Sequence, residues 1–230
     1  MTAEYRHELK YLITAGQAAC LVPRLRALMR PDPHAGPGGS YNIRSLYFDD
    51  YENSCLRQNE DGTDPREKFR LRIYGRSPDF VRLELKRKQH GKTQKLGCTV
   101  TQEQCRALMA GQPLLPGLAA DAPALLRRLA AEQRTRLLAA RVVVEYERTP
   151  FVHPLGNVRI TLDSALCSSS ACGQFLQPQL PARGVLPTGL LLLEVKFDQF
   201  LPDAIYRALQ LENLQQTAFS KYALCRRYHL

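Results

Sequence analysis

The chain has 230 residues, 44% of them hydrophobic, and its 32 Lys and Arg against 22 Asp and Glu give a formal net charge of +10. That length suits one large domain or two small ones, and the apolar runs are too short to span a bilayer as a helix. The charge points to an anionic partner, whether nucleic acid, anionic lipid or polyphosphate. Seven Cys are scattered without a Cys-x-x-Cys pair, which favours reduced thiols over a disulfide frame or a zinc site. With no apolar signal region in Met1–His7, a cytoplasmic location is expected.

In chain order, a strand is predicted over residues 4–13, with Arg6, Glu8 and Lys10 on one face and His7, Leu9, Tyr11 and Ile13 on the other. Thr14 and Gln17 have capping-box spacing. The helix after them carries Ala18, Leu21, Val22, Leu25 and Met29 at helical intervals, with Pro23 as a kink or a late start. A Pro/Gly loop from Pro31 to Ser40 leads to a strand over Tyr41–Phe48, a short helix over 51–58 and a polar loop from Glu60 to Arg66.

Two alternating runs then form a hairpin, Lys68–Gly75 and Val81–Lys88, closed by Arg76-Ser77-Pro78-Asp79. Lys68, Arg70, Arg72 and Tyr74 share one face, and Arg82, Glu84, Lys86 and Lys88 lie beside them, so two basic rows sit together. Like charges side by side on a sheet repel. A solvated outer face explains such a run, but it normally mixes signs, and an anion between the rows would offset the repulsion.

A strand over Thr93–Val100 with Lys95 follows a turn at Gln89–Lys92. Thr101, with Gln104, caps a helix to about Gly111, and a loop covers Pro116–Pro123. Residues 124–139 read as an amphipathic helix. Strands return over Arg141–Arg148, Asn157–Asp163 and Leu190–Phe197, the first two joined through His153–Gly156. The Ser/Pro/Gly-rich segment Cys167–Gly189 has room for a short strand near Gln174–Leu176, and Ile205–Leu214 and Phe219–Tyr228 read as helices. The expectation is one α+β domain over 1–230, mainly antiparallel. Its charged strand faces either look outward or close around an anion-filled channel, and closure into a barrel would also remove the sheet edges.

Arg6-x-Glu8-x-Lys10-Tyr11, Ser45-Leu46-Tyr47-Phe48-Asp49, Lys68-x-Arg70-x-Arg72, Glu84-x-Lys86-x-Lys88, Tyr146-x-Arg148, Val158-Arg159-Ile160-Thr161-Leu162-Asp163, Leu193-Glu194-Val195-Lys196 and Ser220-Lys221-Tyr222 occur in that order. Each piece alone is common; the ordered set resembles the VTC domain, the polyphosphate polymerase domain of the vacuolar transporter chaperone type, here in its bacterial standalone form. That family sits within the triphosphate tunnel metalloenzymes, the CYTH-like group. The resemblance implies an antiparallel β-barrel tunnel flanked by helices, and transfer of the ATP γ-phosphoryl to a growing polyphosphate chain.

By the same resemblance, Lys10, Arg70, Arg72, Lys86, Arg148, Arg159 and Lys221 would contact phosphates, with Lys88, Lys95 and Lys196 as further matches. Tyr146 reads equally as a site residue and as a packing residue. Glu194 would be the main ligand of Mn²⁺ or Mg²⁺, Glu8 would assist, and Asp163 would support Arg159 structurally. Such residues suit phosphoryl transfer, which needs positioning and charge neutralisation more than a protein nucleophile. The expected partners are ATP and polyphosphate or triphosphate, with room for a separate membrane protein. The alternatives are an inorganic or nucleoside triphosphatase and a non-catalytic polyphosphate binder. Nucleic acid is the weaker partner, since no nucleic-acid motif or aromatic platform accompanies the charge.

Overall fold

Strand β1 (His7–Thr14) hands the chain to helix α1 (Ala15–Leu28) through the expected capping box, in which Thr14 and Gln17 satisfy each other's backbone amides. The computed structural model describes residues 5–112 and 122–229; most of the loop expected at Pro116–Pro123 lies outside them. Pro23 sits within α1, which nonetheless begins at Ala15, so the late start does not occur. Two-residue β2 (Arg30–Pro31), β3 (Tyr41–Asp49) and α2 (Ser54–Glu60) follow.

The central hairpin is β4 (Arg66–Tyr74) and β5 (Ser77–Gln89). Its turn is shorter than expected. Tyr74 pairs with Ser77, and Gly75 and Arg76 both take positive φ, 64° and 60°. Two positive-φ residues make the turn whose twist matches paired strands, so Ser77, Pro78 and Asp79 already belong to β5. The next turn repeats the device at His90 and Gly91, before β6 (Lys92–Val100).

Helix α3 (Gln102–Met109) opens on the Thr101–Gln104 capping box. Helix α4 (Ala124–Thr135) stops short of residue 139: Leu137 takes φ 54° and is largely exposed, and β7 (Ala139–His153) begins two residues later. A 3₁₀ turn, Leu155–Asn157, joins β7 to β8 (Val158–Ser169). The short strand expected at 174–176 is replaced by a 3₁₀ turn at Cys172–Gln174, and a two-residue strand, β9 (Arg183–Gly184), follows further on. The reason is visible in Phe175, which is buried in the core, and in Arg44, whose guanidinium donates to the carbonyls of Phe175, Gln177 and Pro178. Those carbonyls are therefore not free for a ladder. After β10 (Leu190–Phe197) come α5 (Asp203–Ala208), shorter than the expected 205–214, and α6 (Lys221–Arg227).

The strands form one antiparallel ten-stranded sheet, β1-β10-β8-β7-β3-β4-β5-β6 with β2 on β7 and β9 on β8. The ladder is not closed as a full barrel. Its edge strands, β1 and β6, meet at an antiparallel bridge between Arg6 and Thr93, with N···O distances of 3.0 and 3.1 Å. The sheet therefore curls until its two edges touch at one point.

Alternation then divides inside from outside. Leu71, Leu83 and Leu85 face outward and pack with Cys105, Leu108, Leu126 and Leu129 of α3 and α4. Ile13, Ile160 and Leu193 pack outward with Leu21 and Leu25 of α1 and Ile205 of α5. The third cluster is on the inner face, where Ile43, Val142, Val144 and Tyr146 meet Tyr222 and Cys225 of α6. The inner face is thus apolar at its middle strands, and α6 covers that apolar part.

Candidate active site

The pairing register carries the charged side chains around the inner face in rows. Lys196 lies between Glu8 and Arg159, Glu194 between Lys10 and Thr161, and Asp163 opposite Arg148. On the other side, Arg72 lies between Ser45 and Arg82, Arg70 between Tyr47 and Glu84, Lys86 between Lys68 and Lys95, and Lys88 between Arg66 and Thr93. The sequence-predicted residues Lys10, Arg70, Arg72, Lys86, Lys88, Lys95, Tyr146, Arg148, Arg159, Lys196, Glu8 and Glu194 all share this face. Lys221 reaches it from the first turn of α6.

Carboxylates hold the cations in place. Glu84, fully buried, lies 2.7 Å from Arg70, 3.0 Å from Lys95 and 3.7 Å from Arg72. Burial opposes its ionisation, but Arg70, Arg72 and Lys95 together hold its carboxyl well below the usual range. Tyr47 accepts from Arg70 at 2.9 Å, and Ser45 accepts from Arg72 at 3.1 Å. Glu84 is the one acid in the two basic rows of this hairpin, and the sequence pattern alone assigns it no role. That isolation was the available signal, since a lone acid among cations on a buried face must be shared by them.

A second cluster sits where α6 meets β8 and β10. The Lys221 ammonium is 2.6 Å from Glu194 Oε1 and 2.7 Å from Asp163 Oδ2, and it lies over the Tyr146 ring at 4.9 Å. Asp163 takes Arg148 through two bonds of 2.6 and 2.7 Å. The expected Asp163–Arg159 support does not form. Arg159 turns instead to Asp32 at 2.7 Å and to the Tyr41 hydroxyl at 2.8 Å. Burial works against the Glu194 charge, and Lys221, Lys196, Lys10 and Arg148 overrule it, holding the carboxyl well below its ordinary value.

Glu8 forms a third cluster at the open seam of the sheet. Lys86 of β5 reaches it at 2.8 Å, Lys10 at 3.5 Å and Lys196 at 3.8 Å, while Thr93 of β6 donates at 3.1 Å. Side chains of β5 and β6 thus bridge to β1 where the backbone ladder stops. Desolvation leads in lowering the pKa of Lys86 to about 7, with Lys10 and Lys196 adding to it against Glu8. Lys68, which bonds Asn59 at 2.6 Å and lies over the Tyr222 ring, is likewise lowered to about 7 by burial and then by Lys86. An anionic ligand beside these ammoniums would favour their charged forms.

The acids here are hard oxygen donors. The Thr161 hydroxyl, buried beside Glu194, has no hydrogen-bond partner. Among the described residues no three His, Cys, Asp or Glu side chains cluster to hold a metal. Glu194 and Glu8 could offer a hard divalent cation one or two carboxylates, as such ions take from a protein when phosphate supplies further oxygens.

The family model of the VTC domain matches residues 5–229. Among solved structures, the chain is similar to a proposed adenylate cyclase from Bacillus halodurans at 16% identity and TM-score 0.51, over 91% of this chain and 88% of that one. It is also similar to a proposed adenylyl cyclase from Hippeastrum with a dominant triphosphatase activity, at 13% identity and TM-score 0.57, over 97% and 96% of the two chains. At these identities the likeness is one of fold, the triphosphate tunnel fold. No curated protein matches the chain.

Proposed function

Since the chain belongs to the VTC domain family, we propose that it is an ATP-dependent polyphosphate polymerase acting as a single catalytic domain. Its acceptor is the terminal phosphate of a polyphosphate chain lying along the inner face. A terminal phosphate oxygen attacks the γ-phosphorus of ATP. The new P–O bond forms as the bond from that phosphorus to the β,γ-bridging oxygen breaks, and ADP leaves with the electron pair. The acceptor oxygen is already anionic, so no protein nucleophile is required.

Arg70 and Arg72, held by Glu84, clamp neighbouring phosphates. They project alike from β4, about 6.5–7 Å apart along a strand, and guanidinium binds phosphate in fork geometry. Lys10, Lys86, Lys196 and Arg148 neutralise the rest of the chain, Arg159, Lys88 and Lys95 extend the cationic path, and Lys221 holds Glu194 in position. When bound, a divalent cation held by Glu194, with Glu8 assisting, would offset negative charge on the transferred phosphoryl group.

The observation supporting this reading best is the concentration of Lys10, Arg70, Arg72, Lys86 and Arg148 from four strands on one inner face, with fewer acids than bases. ATP as donor suits the cytoplasm, and among the described residues no helix is long and apolar enough to cross a membrane. Incubation with ATP and Mn²⁺ or Mg²⁺, followed by sizing of the phosphate products, tests the proposal. Long chains with stoichiometric ADP support it. Orthophosphate alone would make the protein a triphosphatase, and tight polyphosphate binding without turnover would make it a binder.

A further inference from the structure

Outside the inner face, a cavity of about 530 Å³ lies between α6, the start of β7 and the segment after β8, lined among others by Tyr51, Arg141, Ser170, Arg226 and His229. We propose that this cavity is a second anion site, built for the phosphoryl group of a small phosphorylated ligand. Four arginines are buried among the described residues: Arg44, Arg72, Arg148 and Arg226. The first three each meet a carboxylate, at 2.7, 3.7 and 2.6 Å. Arg226, 6% exposed, meets none among the described residues; it donates to Asn53 Oδ1 at 2.6 Å and to the His229 carbonyl at 3.2 Å, and its Nε has no partner. A buried charge without a counter-charge is costly.

Arg141 repeats the pattern. It donates to the Asp50 carbonyl at 3.0 Å, and its buried Nε is also without a partner. Two guanidiniums therefore line one cavity whose lining contains no acid. Of the acids flanking this lining, the Asp50 carboxylate takes Arg136 and the Ser54 amide, Asp49 takes Tyr222 and the Cys55 and Leu56 amides, and Glu52, between Tyr51 and Asn53, is exposed. Burial, then Arg183 and Arg226, push the His229 imidazole down from its ordinary value, which agrees with an electropositive site. A phosphoryl group would supply negative charge and acceptor oxygens to the two guanidiniums that line the cavity. Tyr51, 77% exposed and part of the lining, offers a ring for a base if the ligand is a nucleotide.

The chain contains no Trp, so Tyr51→Trp gives the cavity a sole indole emitter. The full chain carrying this change is titrated with inorganic phosphate, with AMP and with potassium chloride at matched ionic strength. The expected result is a saturable emission change with phosphate or AMP and none with chloride. Tighter binding of AMP assigns the base to the ring, and equal affinity assigns the phosphoryl group alone. Adding Arg226→Gln or Arg141→Gln should raise the Kd by roughly tenfold or more, whereas adding Arg72→Ala, on the inner face, should leave it within about twofold. Arg141, which donates to the Asp50 carbonyl, is the safer variant if Arg226→Gln loses its fold. No saturable change, a change unaffected by the cavity substitutions in folded protein, or one removed equally by Arg72→Ala would overturn the assignment. Because the readout is at the cavity, it stands or fails independently of the polymerase reading.

Discussion

The Lys221 ammonium lies 2.6 Å from Glu194 Oε1, so the carboxylate proposed to hold a divalent cation is already oriented by a cation from a different element. Glu194→Gln keeps the shape and removes the charge. Asp163, 2.7 Å away, still holds Lys221, so the fold should survive. We expect turnover to fall by roughly a hundredfold or more in a variant that still folds, at a lower melting temperature because one partner of a buried pair is lost. Unchanged metal-dependent turnover in the purified variant would remove Glu194 from the metal site.

Glu84 should matter to stability more than any single cation around it. It is fully buried and shared by Arg70, Arg72 and Lys95. Glu84→Gln leaves those cations facing a neutral amide, a loss of about 3–5 kcal/mol by the precedent of broken buried pairs. Tripolyphosphate restores negative charge to the same place, so it should raise the melting temperature more in the variant than in the parent. Equal shifts in both would mean that the ligand does not reach Arg70 and Arg72.

Period-two alternation placed the inner-face charges correctly, because a strand offers a side chain two directions and the opposite direction was filled by Leu71, Ile73, Leu83 and Leu85. Caps at Thr14 and Thr101 were equally readable, since their partners lie three residues away. Less legible was whatever depends on distant chain. Asp163 and Arg159 are neighbours in one motif, yet each finds its partner elsewhere, in Arg148 and Asp32. The end of α4 was hidden because Leu137 and Leu138 continue the apolar pattern while the backbone turns to positive φ at Leu137. The hairpin turn was misplaced because Ser-Pro-Asp is stronger turn chemistry than Gly75-Arg76, and tertiary pairing chose the latter.

Ligand binding should take up protons. Burial lowers Lys68 and Lys86 to about 7, against about 10.4 in an unfolded chain. Between those values the unfolded state binds more protons, so the ligand-free protein gains stability as pH rises from about 7 toward 10 and loses that contribution as pH falls through 7. A phosphate chain favours the ammonium forms and reverses the shift. Calorimetric titration of tripolyphosphate at pH 8, in buffers of different ionisation enthalpy, should show uptake reduced by about one proton in Lys86→Met. The comparison cancels protons carried by the ligand itself. Identical uptake in the two proteins would show that Lys86 does not meet the ligand.

Anion binding should also stabilise the fold, and selectively. Lys10, Arg70, Lys86, Arg148 and Lys196 come from strands far apart in sequence that the curled sheet brings to one face. Their carboxylate partners, Glu8, Glu84, Asp163 and Glu194, leave an excess of positive charge there. Bulk salt screens such half-buried charges less than exposed ones, so chloride cannot substitute for a bound polyanion. A ligand that binds the folded state alone adds about 2.7 kcal/mol at a hundredfold excess over its dissociation constant. For a chain of this size that corresponds to a rise of several degrees in melting temperature. Tripolyphosphate and longer polyphosphate should each give that rise, and chloride at equal ionic strength should give much less. A nucleic-acid binder would reverse the order, responding to short oligonucleotides and weakly to tripolyphosphate. Arg70→Ala should blunt the polyphosphate response, since it removes a clamp from the middle of the row. A melting series with these four additives on the parent and on Arg70→Ala measures both the selectivity and its origin, and a parent response no larger than that to chloride would count against an anion-binding inner face.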